Sequence, residues 1–297
     1  MDKVMLKQLL FHGSWLVFPA IVWLLWRWRK GRQRVVLAAL LLGCAVFTWA
    51  RFIEPQLILV DHTELAGTGV DTRVALISDV HLGVYKSPRY LRRVVDRINA
   101  LEVDTVVIAG DLTYEPQGQS LAALFAPLAQ LQAPAYVVLG NHDQQRPGPD
   151  VDTALRHALV GHGMQIIEGK VLKDAHGVHW AGLGDKWANK DDAGFLHQAG
   201  TGGEAVIVVA HNPDSAMQLH PGDASLVLAG HTHGGQIRIP WLYRKVIPSA
   251  HGFDRGEQLM ATSNGHVRVF TTRGIGEIGL PMRLFNPPTI DVLQLRP

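Results

Sequence analysis

Five short runs, apolar but for Thr105 and each closed by a cluster of polar residues, constrain this chain more than any other feature. They occupy residues 74–77, 105–108, 136–139, 205–209 and 226–228. Runs of this length, rich in β-branched residues, suit strands buried on both faces. Amphipathic stretches lie between them. Residues 88–101 place Leu91, Val94, Val95 and Ile98 on one helical face, and 121–131 and 153–160 read as further helices. Strand–helix alternation of this kind predicts an α/β layered domain over residues 73–297. Toward the C-terminus, 267–270 and 290–295 alternate as half-exposed strands do.

The closing clusters are Ser78-Asp79-Val80-His81, Gly110-Asp111, Gly140-Asn141-His142-Asp143, His211-Asn212-Pro213 and Gly230-His231-Thr232-His233. In open α/β sheets the crevice at the carboxyl ends of the strands is where ligands bind. Taken singly, each cluster has an ordinary explanation: Gly-Asp and Gly-Asn are turn dipeptides, and a lone histidine can be a satisfied core residue. That explanation would have to hold five times, always at the end of a buried strand. Asp and His with one Asn form a borderline-hard donor set that suits Mn²⁺, Fe²⁺ or Zn²⁺ and not copper–thiolate or iron–sulfur chemistry. Two such ions a few ångströms apart can share a carboxylate and clamp a phosphoryl group.

In this order the clusters resemble the signature of the calcineurin-like metallophosphoesterases, over roughly residues 73–297. The resemblance implies a layered sandwich of two central β-sheets flanked by helices. It also implies two divalent metal ions, one on Asp79, His81, Asp111 and His233 and the other on Asp111, Asn141, His211 and His231, with Asp111 bridging. His142 would stabilise the transition state or protonate the leaving oxygen. The run Gly-His-Thr-His-Gly-Gly-Gln at 230–236 and the segment 272–288 look like a membrane-linked bacterial subgroup. Some members of that subgroup cleave UDP-2,3-diacylglucosamine at its pyrophosphate in lipid A synthesis. After Gly110-Asp111 the chain departs from the Ser/Thr protein phosphatases, lacking their second Asp and Arg-Gly, so a protein substrate is not expected. The competing class is a membrane-tethered binding protein with a decayed site, and the complete donor set argues against it.

Hydrophobic residues make up 47% of the chain and charged residues 18%. The apolar excess is concentrated in the first fifty residues. Apolar runs at 9–26 and 35–52 are each about long enough to span a bilayer, and Trp15, Trp23, Trp26 and Trp28 fit an interfacial belt. Between them, 27–34 carries Arg27, Arg29, Lys30, Arg32 and Arg34. The expectation is a transmembrane helical hairpin, residues 1–54, with its basic loop in the cytoplasm and the catalytic domain outside a bacterial cytoplasmic membrane. No small-residue cleavage site follows either run. Residues 55–72 read as a juxtamembrane connector that holds an edge strand at 56–60.

The net charge of +2 gives no basic field, which excludes nucleic acid as a partner, and no obligate protein partner is evident. The lone Cys44 can form no internal disulfide. The bilayer and a phosphoester or lipid-linked pyrophosphate substrate are the expected partners. Apolar and aromatic residues at 239–248, Trp241 foremost, are candidates to admit a lipid tail. Arg273, with Arg238 and Arg283, is a candidate phosphate clamp. Asp185 is a candidate substrate contact that turn chemistry explains equally well.

Overall fold

A computed structural model of the chain describes residues 3–31, 33–116, 118–144, 148–198, 201, 203–263 and 265–297. Its strands form two six-stranded sheets and one small pair. The first sheet orders β1 (Leu59–Leu65), β14 (Thr289–Leu295), β2 (Thr72–Ile77), β4 (Thr105–Ala109), β6 (Ala135–Val138) and β7 (Gln165–Ile166). The second orders β12 (Gly256–Thr262), β13 (Gly265–Thr271), β11 (Leu226–Ala229), β10 (Val206–Ala210), β9 (His179–Gly182) and β8 (Val171–Lys173). β3 (Leu82–Gly83) pairs with β5 (Thr113–Tyr114). The central strands β2, β4 and β6 run parallel, as do β9, β10 and β11.

Strand alternation sorts the core into layers. Val74 and Leu76 of β2, Val107 of β4 and Val138 of β6 face the second sheet, where they meet Trp180, Ile207, Val209 and Leu228. Ala75 and Ile77 point the other way, onto Leu91, Val94, Val95 and Ile98 of the helix Pro88–Asn99. The fold is therefore the expected sandwich of two sheets flanked by helices. Two local readings need correction. The stretch 121–131 is one helical turn, Leu121–Phe125, followed by a 3-10 segment, Ala126–Gln130, because Pro127 has no N–H and crowds the preceding turn. The edge strand of the connector is Leu59–Leu65, in parallel register with β14. Its Asp61, His62 and Glu64 carry no apolar signal, so sequence placed the strand too early.

The N-terminal helices, Lys3–Arg29 and Arg34–Gln56, are long and apolar enough to cross a membrane. Leu16, Val22, Val35 and Leu42 stand exposed along them. Their feet are bonded to the rest of the chain. Lys7 pairs with Glu115 at 2.6 Å, and the Phe11 ring stacks on Tyr85 with centroids 5.5 Å apart. Arg51, buried, donates to Ser14 Oγ and the Phe11 carbonyl. The Ala50 carbonyl accepts the Arg283 N–H at 2.9 Å, and Glu54 Oε1 accepts the Asn286 N–H at 2.6 Å.

Candidate metal centre

The parallel strands β2, β4 and β6 of one sheet and β10 and β11 of the other end at a common edge. From the first sheet come Asp79, His81, Asp111, Asn141 and His142, and from the second His211, His231 and His233. All eight are buried. Donor atoms of Asp79, His81 and His233 lie within 4.8 Å of one another, and so do those of Asp111, His211 and His231. Asp111 Oδ2 joins the two groups, 3.2 Å from His211 Nε2 and 3.6 Å from His81 Nε2.

Hydrogen bonds set which imidazole nitrogen faces inward. His81 Nδ1 donates to the Thr113 carbonyl at 3.1 Å and His211 Nδ1 to the Ala109 carbonyl at 2.8 Å, which leaves both Nε2 lone pairs for the centre. His81 Nε2 then sits 3.1 Å from His233 Nε2, and His211 Nε2 sits 3.1 Å from His231 Nδ1. Asp79 Oδ1 and both side-chain atoms of Asn141 have no hydrogen-bond partner at all. A buried amide left unpaired on both atoms costs several kcal/mol unless something else satisfies it. Converging nitrogen lone pairs, orphaned oxygens and carboxylates are the donors that a pair of divalent cations requires, so the residues fit two metal ions.

Electrostatics agree. Burial pushes Asp79 up to about 6 and the His81 and His231 imidazoles down to about 3. Burial also opposes charge on His211, but the Asp111 carboxylate beside it overrides this and holds the ring up at about 10. Neutral imidazoles are the metal-binding form, and the proton shared by Asp111 and His211 is the one that a cation would displace.

The backbone is strained at the same place. Asp79, His81, Asp111, His231 and His233 hold φ of 52°, 50°, 51°, 69° and 50°. Left-handed backbone outside glycine costs roughly 1–3 kcal/mol per residue and persists where the surroundings enforce it. Two glycines make the approach possible. A Cβ on Gly110 would meet His211 Nδ1 at 2.6 Å, and one on Gly140 would run into the Asp111 carboxylate.

Asp143, quoted within its motif but given no role from sequence, ties the loop after β4 to its own loop after β6. It accepts the N–H groups of Leu112 (3.0 Å), Thr113 (2.9 Å) and Gly140 (3.1 Å), and the Thr113 hydroxyl (2.8 Å). Burial and the Asp111 charge push Asp143 up to about 7, against the four donors that favour its ionised form. Two further residues flank the cluster. The Trp187 ring meets His231 edge-on with centroids 4.7 Å apart. Asp185 is buried with Oδ1 unpaired, and burial pushes it up to about 6.

A cleft of about 420 Å³ opens onto Asp111, Asn141, His142, His231 and His233, with apolar walls of Trp187, Ile237, Val246, Pro248, Ile278 and Leu280. The expected clamp arginines lie elsewhere. Arg273 pairs with Asp61 and lines a different pocket, Arg238 pairs with Asp254, and Arg283 is buried, donating to the carbonyls of Gly274, Gly276 and Asn286. Trp241 is 88% exposed and is not among the residues of the cleft; Val246, further along the same segment, is.

Two sheets that deliver Asp, Asn and His to one edge, in two groups of metal-donor type, define a metallohydrolase architecture. A family model described as calcineurin-like phosphoesterase matches residues 72–235, more than half of the chain, and the chain belongs to that family, which makes it a hydrolase of phosphoester bonds. Among its relatives is the uncharacterized metallophosphoesterase YkuE of Bacillus subtilis, 30% identical over 280 residues that cover 90% of this chain and 96% of YkuE. A Danio rerio protein named transmembrane protein with metallophosphoesterase domain is 32% identical over 241 residues, 75% of this chain and 53% of that protein. The UDP-2,3-diacylglucosamine pyrophosphatase LpxG of Chlamydia muridarum is 24% identical over 308 residues, covering 83% and 92%.

Proposed function

We propose that this chain is a membrane-anchored phosphoesterase that cleaves a phosphoester or pyrophosphate carried by a lipid, with two divalent ions at its centre. The cleft carries the lipid part of this reading: a donor cluster at its floor and apolar side chains for walls. A nucleotide or free sugar phosphate would leave those walls facing water, whereas an acyl chain gains about 0.8 kcal/mol for each methylene buried there. The relative named for UDP-2,3-diacylglucosamine, though only 24% identical, supports the same substrate class.

Asp79, His81, Asp111 and His233 would hold one ion and Asp111, Asn141, His211 and His231 the other. Bound there, the ions would make water nucleophilic at neutral pH and offset charge on the phosphoryl oxygens, and Mn²⁺, Fe²⁺ and Zn²⁺ all suit the donors. His142 lines the cleft with Nδ1 unpaired, its backbone N–H held by Asp111 Oδ1 at 2.8 Å. It delivers the proton to the leaving oxygen. The hairpin spans a bacterial cytoplasmic membrane with the basic loop inside and the catalytic domain outside. Nucleotide-linked lipids are made inside, so a domain outside would meet a lipid phosphoester, and a domain inside a nucleotide-linked one.

The test compares kcat/KM for UDP-2,3-diacylglucosamine and for a diacyl lipid phosphoester with their unacylated counterparts. The expected preference is at least roughly a hundredfold, the worth of a few buried methylenes. Equal rates would mean that the anchor sets location only. Protease accessibility in intact cells and inverted vesicles decides the topology, and cleavage confined to inverted vesicles would reverse it.

A further inference from the structure

Among the described residues beyond 56, eleven large apolar side chains are exposed, and six of them share two loops: Ile239, Trp241, Leu242 and Val246 on one, Leu280 and Phe285 on the other. The loops are laced together. Leu284 N–H donates to the Gln236 carbonyl, Arg238 N–H to the Leu284 carbonyl, and Gln236 Nε2 to the carbonyls of Ile278 and Leu280. They are also bonded to the foot of the second helix, through Arg283 to Ala50 and Asn286 to Glu54. Phe285 lies between those two bonded residues, so an apolar ring that is 67% exposed stands where the helix leaves the domain.

Two observations say what covers this surface. Trp241 and Phe285 hold left-handed backbones, with φ of 63° and 57°, an expensive conformation for bulky residues that the surrounding packing does little to repay. The hairpin is also short. The first turns of its first helix pack on the domain through Lys7 and Phe11, and Arg51 closes the second. What stands clear of the domain in the second helix is residues 35–49, about 22 Å at 1.5 Å per residue, against a hydrocarbon core of about 30 Å. A span that short matches the bilayer when neighbouring apolar groups sink with it.

We propose that segments 237–246 and 279–285 form a second membrane contact, an apolar collar immersed in the same bilayer that the hairpin crosses. Exposed Arg244 and Lys245 on the first loop would meet the headgroups. Val246 and Leu280 belong both to the collar and to the wall of the metal cleft, so immersion brings the cleft mouth to headgroup level. A lipid then enters sideways without leaving the membrane. The collar rests on the anchoring reading but not on the identity of the substrate.

The test uses the full chain in nanodiscs of phosphatidylethanolamine and phosphatidylglycerol. In a Cys44→Ser background, nitroxides on Trp241→Cys and Phe285→Cys should be relaxed more by oxygen than by a water-soluble nickel chelate. A label on Leu259→Cys, exposed on β12, should show the reverse. Aqueous behaviour at 241 and 285 overturns the collar. Immersion at both without any acyl preference supports the collar and overturns the lipid-substrate reading alone. The Leu242→Ser/Phe285→Ser variant should lose roughly tenfold in kcat/KM on a nanodisc-embedded lipid phosphoester, the worth of about 1.4 kcal/mol. It should hydrolyse bis(p-nitrophenyl) phosphate as before, and an equal rate on the embedded lipid also counts against the collar.

Discussion

Replacing Asp143 by Asn tests whether the knot behind the metal centre holds the site in shape. The carboxylate accepts two bonds on each oxygen: Leu112 and Gly140 N–H on Oδ2, Thr113 N–H and its hydroxyl on Oδ1. An amide keeps the shape but turns one oxygen into a donor. With the NH₂ on the Oδ2 side, two buried N–H groups lose their acceptor. On the Oδ1 side, the Thr113 hydroxyl can rotate to accept, so one N–H is left unpaired. The second arrangement is cheaper, about 2–4 kcal/mol for one lost bond to a charged acceptor and one orphaned donor. In a domain of this size that corresponds to a fall in Tm of roughly 5–15 °C. Because Leu112 follows Asp111, and Gly140 precedes Asn141, the same change should loosen both metal groups. Differential scanning fluorimetry and elemental analysis on one preparation read both effects. An unchanged Tm with both metals retained would refute the knot.

Other outcomes follow from the same geometry. Protein purified without chelator should carry close to two transition-metal ions per chain and lose activity on chelation; a chain that binds none would favour the binding-protein alternative. His142→Ala should lower kcat by roughly 10²–10⁴-fold with metal content intact; loss of the metals would show that the roles are wrongly divided. Gly140→Ala should displace the Asp111 carboxylate and cost metal affinity while the far-ultraviolet circular dichroism stays as it was. Asp291 is buried, and burial pushes it up to about 7. A folded-state value above the unfolded one means stability is lost as pH rises from about 4 to 7. Asp291→Asn should therefore raise Tm at pH 8 and not at pH 4, and a gain equal at both would contradict that assignment.

Much of the centre could be read from the chain because each candidate ligand follows a strand whose apolar run is unmistakable. Asp79, Asp111, Asn141, His211 and His231 come together because parallel strands end together. What was not legible depends on contacts across long separations. Arg273 looked free in sequence, and its partner Asp61 sits in a strand too polar to be placed correctly. The cleft walls Ile278 and Leu280 come from a glycine-rich segment without periodicity, held by Gln236. Trp241 follows the histidine motif closely enough to suggest a substrate contact, yet its left-handed backbone accompanies a side chain left almost wholly exposed. Trp187 had no signal beyond its place after β9.

The bonds at the foot of the hairpin bear on how this architecture could be rebuilt or inherited. Ala50 and Glu54 satisfy backbone N–H groups of Arg283 and Asn286, and Lys7 supplies the cation that Glu115 faces. Segment 274–286 in turn backs the metal centre, since the N–H groups of Ile275 and Gly276 donate to the carbonyls of Ser78 and Asp79. An unrelated anchor of equal length and hydropathy would lack the Glu54 carboxylate, leave the Asn286 N–H bare and loosen the wall behind Asp79. The hairpin is thus no interchangeable module, and a graft that preserves membrane attachment would still have to carry Lys7, Phe11, Ala50, Arg51 and Glu54 with it.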